Sequence, residues 1–187
     1  MPPATESLIG KVAQVLSRAP AYSRGIKESI LVAAATSYGA KSHDDLTQPT
    51  GFDPEAARLF EAIVESAYLV ANADGDFDDT ERQAFEHVVV VACDGKVGEV
   101  QISALLEDLS EQLEEDGKEK RVQMVTKGIS RPEHAREVVR VAALIAHVSG
   151  GVSPAERALV DELALGLGLD AGATEAALAE VTTALSK

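Results

Sequence analysis

The sequence predicts an all-α protein built on an internal repeat, and three observations carry that prediction. Apolar residues recur at three- and four-residue spacing along most of the chain, as in Ile102, Leu105, Leu106, Leu109 and Leu113. No stretch alternates with a period of two for long enough to make a strand. The run of four valines at 88–91 invites one, but helix signals flank it on both sides. The third observation is duplication: residues 67–85 (AYLVANADGDFDDTERQAF) return 75 positions later as residues 142–160 (AALIAHVSGGVSPAERALV). Ala71 then falls on Ala146, Gly75 on Gly150, Phe77 on Val152, Glu81 on Glu156 and Arg82 on Arg157.

Taken in order, residues 5–19 show helical spacing through Leu8, Val12, Val15 and Leu16, with Thr5 or Ser7 as candidate caps. Pro20 ends that pattern. Residues 22–38 place Ile26, Ile30, Leu31 and Ala34 on one face and predict a second helix that stops near Gly39. Lys11, Arg18, Arg24, Lys27 and Lys41 make this the one basic region of the chain. Residues 40–51 (AKSHDDLTQPTG) are polar and punctuated by Pro49 and Gly51, a linker by composition. The division expected is residues 1–50 as an N-terminal helical extension with its linker, and residues 51–187 as the helical domain. The extension is expected to be separable.

Asp53-Pro54-Glu55 opens the next helix with an N-cap, a proline at the first position and an acid in the first turn. That helix is expected to run to Ala73. Further helices are predicted over 79–93, 100–115, 118–129, 133–148, 153–167 and 173–185, with Gly95, Gly117 and Pro132 as punctuation.

Composition narrows the function. A formal net charge of −14 repels phosphate backbones, so nucleic acid is not an expected partner, whereas cations and cationic surfaces are compatible. The N-terminal residues lack the pattern of a signal peptide, and no apolar run approaches the length needed to span a bilayer. A cytoplasmic protein without membrane insertion is expected. The single cysteine, Cys93, excludes an intramolecular disulfide and sits in an apolar run, which suits a buried and inert thiol.

The first turn, Asp74-Gly-Asp76-Phe-Asp78-Asp79-Thr-Glu81, can be read in two ways. Gly75 suits a left-handed helix terminator. Asp78 and Glu81 have the spacing of a capping box, repeated as Ser153 and Glu156, with Phe77 and Val152 just before each cap. Capping leaves Asp74 and Asp76 without a role. With Asp78 and Glu81 they form a set of hard oxygen donors suited to Ca²⁺ or Mg²⁺, and a cation would relieve their mutual repulsion. The turn is not an EF-hand, because the sixth and twelfth positions counted from Asp74 are Asp79 and Phe85. In the second turn Ser149, Gly151 and Ser153 replace the three aspartates, leaving Glu156. His147, which aligns with Asn72, is a surface or packing residue on this reading. His43, His87 and His134 show no zinc spacing, and no nucleophile stands at useful spacing from a base, so an enzyme is not expected.

The doubled A-x-A-D-G-x-[apolar]-[DS]-x-x-E-[RK] turn resembles the TerB family of tellurite-resistance proteins and their TerB-like relatives. Residues 131–146 (RPEHAREVVRVAALIA) and 164–170 (ALGLGLD) resemble it too, and the likeness covers roughly residues 56–170. The resemblance implies a helical fold of two pseudo-symmetric halves, no known catalysis, acidic metal-binding sites and a bacterial stress setting. The motif acids it carries over are Asp74, Asp76, Asp78, Glu81 and Glu156; Ser149 departs from the family's aspartate. Two functions follow as expectations. One is a non-enzymatic module that binds a divalent cation at the first turn and couples it to protein partners. The other is an interaction scaffold whose acidic turns are only caps.

Overall fold

The computed structural model describes residues 3–20, 23, 25–40, 52–75, 77–148 and 151–186, with the backbone alone for residues 3–6. Among the described residues nine helices form: α1 (Pro3–Ser17), α2 (Ile30–Ala40), α3 (Pro54–Ala71), α4 (Asp79–Ala92), α5 (Glu99–Asp116), α6 (Lys118–Gly128), α7 (Pro132–Ala146), α8 (Pro154–Gly166) and α9 (Ala173–Leu185). Their only β pairing is an isolated bridge between Arg18 and Glu28. The chain is all-α, and the four valines at 88–91 lie inside α4.

Two helices make the centre. Every residue from 63 to 70 in α3 and from 137 to 146 in α7 is buried, so both are surrounded on all sides. α3 packs against α2, α5, α6, α7 and α8; α7 packs against α1, α2, α3, α8 and α9. Ala67, Ala142, Ala143 and Ala146 supply small side chains along these crowded faces, and Phe60 and Phe85 fill the larger gaps. Each buried phenylalanine contributes about 1.5–3 kcal/mol relative to exposure.

The local start and stop signals act as their chemistry dictates. Asp53 Oδ1 accepts from the amides of Glu55 (2.9 Å) and Ala56 (3.3 Å), and Pro54 takes the first position of α3. Gly117, at φ +78°, ends α5 and begins α6 in one residue. Two expectations at the N-terminus need correction. α1 spans Pro3–Ser17, so Thr5 and Ser7 fall inside the helix and not at its start. The second helix does not begin near residue 22. Pro20 and Gly25 (φ +83°) keep the chain out of helix, the Ala19 amide donates to Lys27 (3.1 Å), and Ser29 donates to Ser17 (3.1 Å). Ser29 then caps α2, its Oγ accepting from Val32 (3.2 Å).

Burial does not divide at residue 50. Ile9, Val12, Leu16, Leu31 and Ala35 share one apolar cluster with Phe60, Val88 and Val138. Tyr38 packs on Phe60 at 4.8 Å between ring centroids. Lys96 Nζ, in the link between α4 and α5, donates to Glu28 Oε1 at 2.9 Å. Of the linker expected at 40–51, Ala40 is the last residue of α2 and residues 41–51 lie outside the described residues.

Candidate functional site

The two turns are built from the same local devices. At the end of α3, Asn72 Nδ2 donates to the Tyr68 carbonyl four residues back (3.0 Å). At the end of α7, His147 Nδ1 bonds the Ala143 carbonyl at 2.9 Å. A carbonyl only accepts, so Nδ1 carries the proton in that bond. The aligned pair Asn72 and His147 therefore both bond the carbonyl four residues back at a helix end. Gly75 follows at φ +85°, the left-handed conformation predicted for it. Gly150 lies outside the described residues, and Gly151 holds φ +132°.

Both capping boxes are complete. Asp78 Oδ1 accepts from the Glu81 amide (2.8 Å) while Glu81 Oε2 accepts from the Asp78 amide (3.3 Å). Ser153 Oγ accepts from the Glu156 amide (3.2 Å), and Glu156 Oε2 accepts from the Ser153 amide (2.7 Å). Phe77, just before the first cap, stands edge-on to Tyr68 (5.5 Å) and Phe85 (6.1 Å), joining α3 to α4. The motif arginines serve as ties between helices. Arg82 pairs with Glu86 (3.2 Å) and donates to the Ser103 carbonyl of α5 (3.3 Å). Arg157 likewise pairs with Asp161 (4.0 Å) and with Glu175 of α9. Sequence reasoning aligned these arginines without assigning them that role.

The candidate ligands occupy different surroundings. Asp74 and Asp78 are exposed, Glu81 is partly buried, and Asp76 lies outside the described residues. Glu156 is 5% exposed. Burial pushes its carboxyl above the usual carboxylate range, the Ser153 amide and hydroxyl hold it back, and the charges of Asp74 and Glu81 push it further up. The fold thus brings the surviving acid of the second turn into the field of the first. Each glutamate spends one oxygen on its cap, and among the described residues the other makes no hydrogen bond. Among the described residues no three His, Cys, Asp or Glu side chains are gathered tightly enough to hold an ion as they stand.

A groove of about 940 Å³ elsewhere on the molecule, between α2, α3, α6 and the start of α7, contains none of the predicted ligands. Its base carries the ion pair of Glu65 with Arg121 (2.6 Å). Burial raises the Glu65 carboxyl above its ordinary range, against the pull of Arg121.

The family model of tellurite resistance protein TerB matches residues 60–179, more than half of the chain and both turns. The chain belongs to the TerB family. This is the family that the doubled turn resembled, and the matched TerB region begins and ends inside the described helices α3 and α9. No curated protein and no solved structure gives a significant match. No described helix is long and apolar enough to cross a membrane.

Proposed function

We propose that this chain is a non-enzymatic TerB module that binds one divalent cation, Ca²⁺ or Mg²⁺, where its two inter-helix turns approach each other. The module passes that state to protein partners in a cytoplasmic, tellurite-resistance-type stress setting. The observation that carries the reading is the buried carboxyl of Glu156 at the second turn, raised first by its burial and then by the charges of Asp74 and Glu81 from the first. A hard cation shared by these acids, with Asp76 and Asp78 beside them in the sequence, replaces repulsion with attraction. Glu81 and Glu156 fit the role because each has an oxygen its capping box does not use.

The second reading, an interaction scaffold with purely structural turns, is favoured by the completeness of both boxes, which need no ion. Titration calorimetry together with melting in Ca²⁺, Mg²⁺ or chelator separates the two. The cation reading expects one site per chain. At about 100 times the dissociation constant, binding adds roughly 2.7 kcal/mol, which raises Tm by roughly 5–10 °C in a chain of this size. Asp74→Asn with Asp76→Asn leaves both capping boxes alone and abolishes the shift without unfolding the protein. A parent protein indifferent to these cations and to chelator leaves only the scaffold.

A further inference from the structure

Among the described residues, the two most deeply buried charged side chains lie away from the turns. Glu137 and Arg140, at 1% and 2% exposure, stand one turn apart on the central helix α7. Glu137 Oε1 accepts from the Leu31 amide (3.2 Å), in the first turn of α2. Arg140 Nη2 donates to the carbonyls of Val15 (2.5 Å) and Arg18 (3.1 Å), at the end of α1. The pair also bond each other (Nη1 to Oε2, 3.3 Å), and Arg140 Nε reaches Glu180 of α9 at 3.0 Å.

The signs are matched to the helix ends. The first turn of a helix carries partial positive charge and the last partial negative charge. The carboxylate meets the start of α2, and the guanidinium meets the end of α1. Apolar burial does not choose the direction in which a helix lies on a core, but this pair does, because a reversed helix would present like charge to a buried ion. Glu137 and Arg140 lie inside the matched TerB region, whereas Val15, Arg18 and Leu31 lie in front of it.

We infer that Glu137 and Arg140 form a docking socket on the TerB fold for a pair of helices, filled here in cis by α1 and α2. These two helices close over the apolar face made by Phe60 and its neighbours, and they open as a unit ahead of the rest of the fold. This inference is independent of any cation at the turns.

Hydrogen exchange of the full chain, read by mass spectrometry, tests it with the charge swap Glu137→Arg plus Arg140→Glu. The swap keeps an ion pair on α7 but mismatches both helix ends. Peptides from α1 and α2 are expected to exchange at least about 10-fold faster than in the parent, with α5 and α8 within about twofold, as for separate opening units. Unchanged protection of α1 and α2 overturns the socket, and so does equal acceleration of every helix, which would make the pair a brace of the whole core. If the swap does not fold, Glu137→Gln with Arg140→Gln is read by the same criterion.

Discussion

A Cβ placed on Gly39 would lie 1.9 Å from the carbonyl oxygen of Lys96. The end of α2 and the link between α4 and α5 touch backbone to backbone, and Gln101 Nε2 adds a bond to the Gly39 carbonyl at 3.3 Å. Gly39 is a glycine because of this approach, since the atom in the way is main chain and cannot swing aside. Gly39→Ala is expected to cost about 2–3 kcal/mol or more, at the upper end for overpacking, and to lower Tm by roughly 5–10 °C. An unchanged melting curve would mean the two segments separate freely.

Gly75 needs its freedom for the opposite reason. Nothing lies within 4 Å of a Cβ built there, so space is not limiting, but φ is +85°. Gly75→Val is expected to cost about 1–2 kcal/mol from backbone strain. Gly75→Asn, which tolerates the left-handed region, should recover much of the loss in the same thermal melt.

Glu156→Gln separates capping from charge, because glutamine also serves at the third position of a capping box. In chelator the variant is expected to melt above the parent, since it no longer buries a charge and also loses the repulsion from Asp74 and Glu81. The sign with pH follows from the raised carboxyl. Between the ordinary glutamate range and the raised folded value, the folded chain holds the proton more readily than the unfolded chain. Stability from this group is therefore full at low pH and is lost as pH rises through the folded value. The advantage of Glu156→Gln should shrink on acidification and be largest above that window. In saturating cation the order should reverse. A variant that tracks the parent at every pH, with and without cation, would remove Glu156 from the site.

Cys93 is fully buried at the end of α4, and burial pushes its thiol up to about 12, against the pull of Lys96. The thiolate is the reactive form. Native protein at pH 8 is expected to resist a thiol reagent over hours and to react at once in denaturant. Rapid labelling of the native chain would show that the end of α4 opens easily.

Removing residues 1–50 is expected to leave a chain that still melts cooperatively but well below the parent, because the rest of the fold persists when α1 and α2 open. The cut would uncover Phe60 and its neighbours and leave Glu137 and Arg140 without their backbone partners. Each buried polar group left unsatisfied costs about 1–3 kcal/mol. Circular dichroism of the truncated chain decides the matter, and loss of any cooperative transition would make α1 and α2 inseparable from the core.

The features legible from spacing are those that short-range chemistry controls. The caps at Asp53, Asp78–Glu81 and Ser153–Glu156, the terminator Gly75 and the break at Gly117 act over a few residues, so spacing alone reveals them. The start of α2 was legible only in part, because the Ser29 cap competes with an apolar pattern that runs on through Ile26, which the fold leaves 63% exposed. Tertiary structure alone decided the rest. Glu137 and Arg140 read as polar residues like any others on a helix, and only Val15, Arg18 and Leu31, more than a hundred positions away, make their burial affordable. Likewise Glu156 is a cap by sequence and becomes a site candidate only when folding sets it in the field of Asp74 and Glu81. A buried charge is tolerated where its partners are, and those partners are assembled by packing of α7 and α8 against distant helices, which no local spacing records.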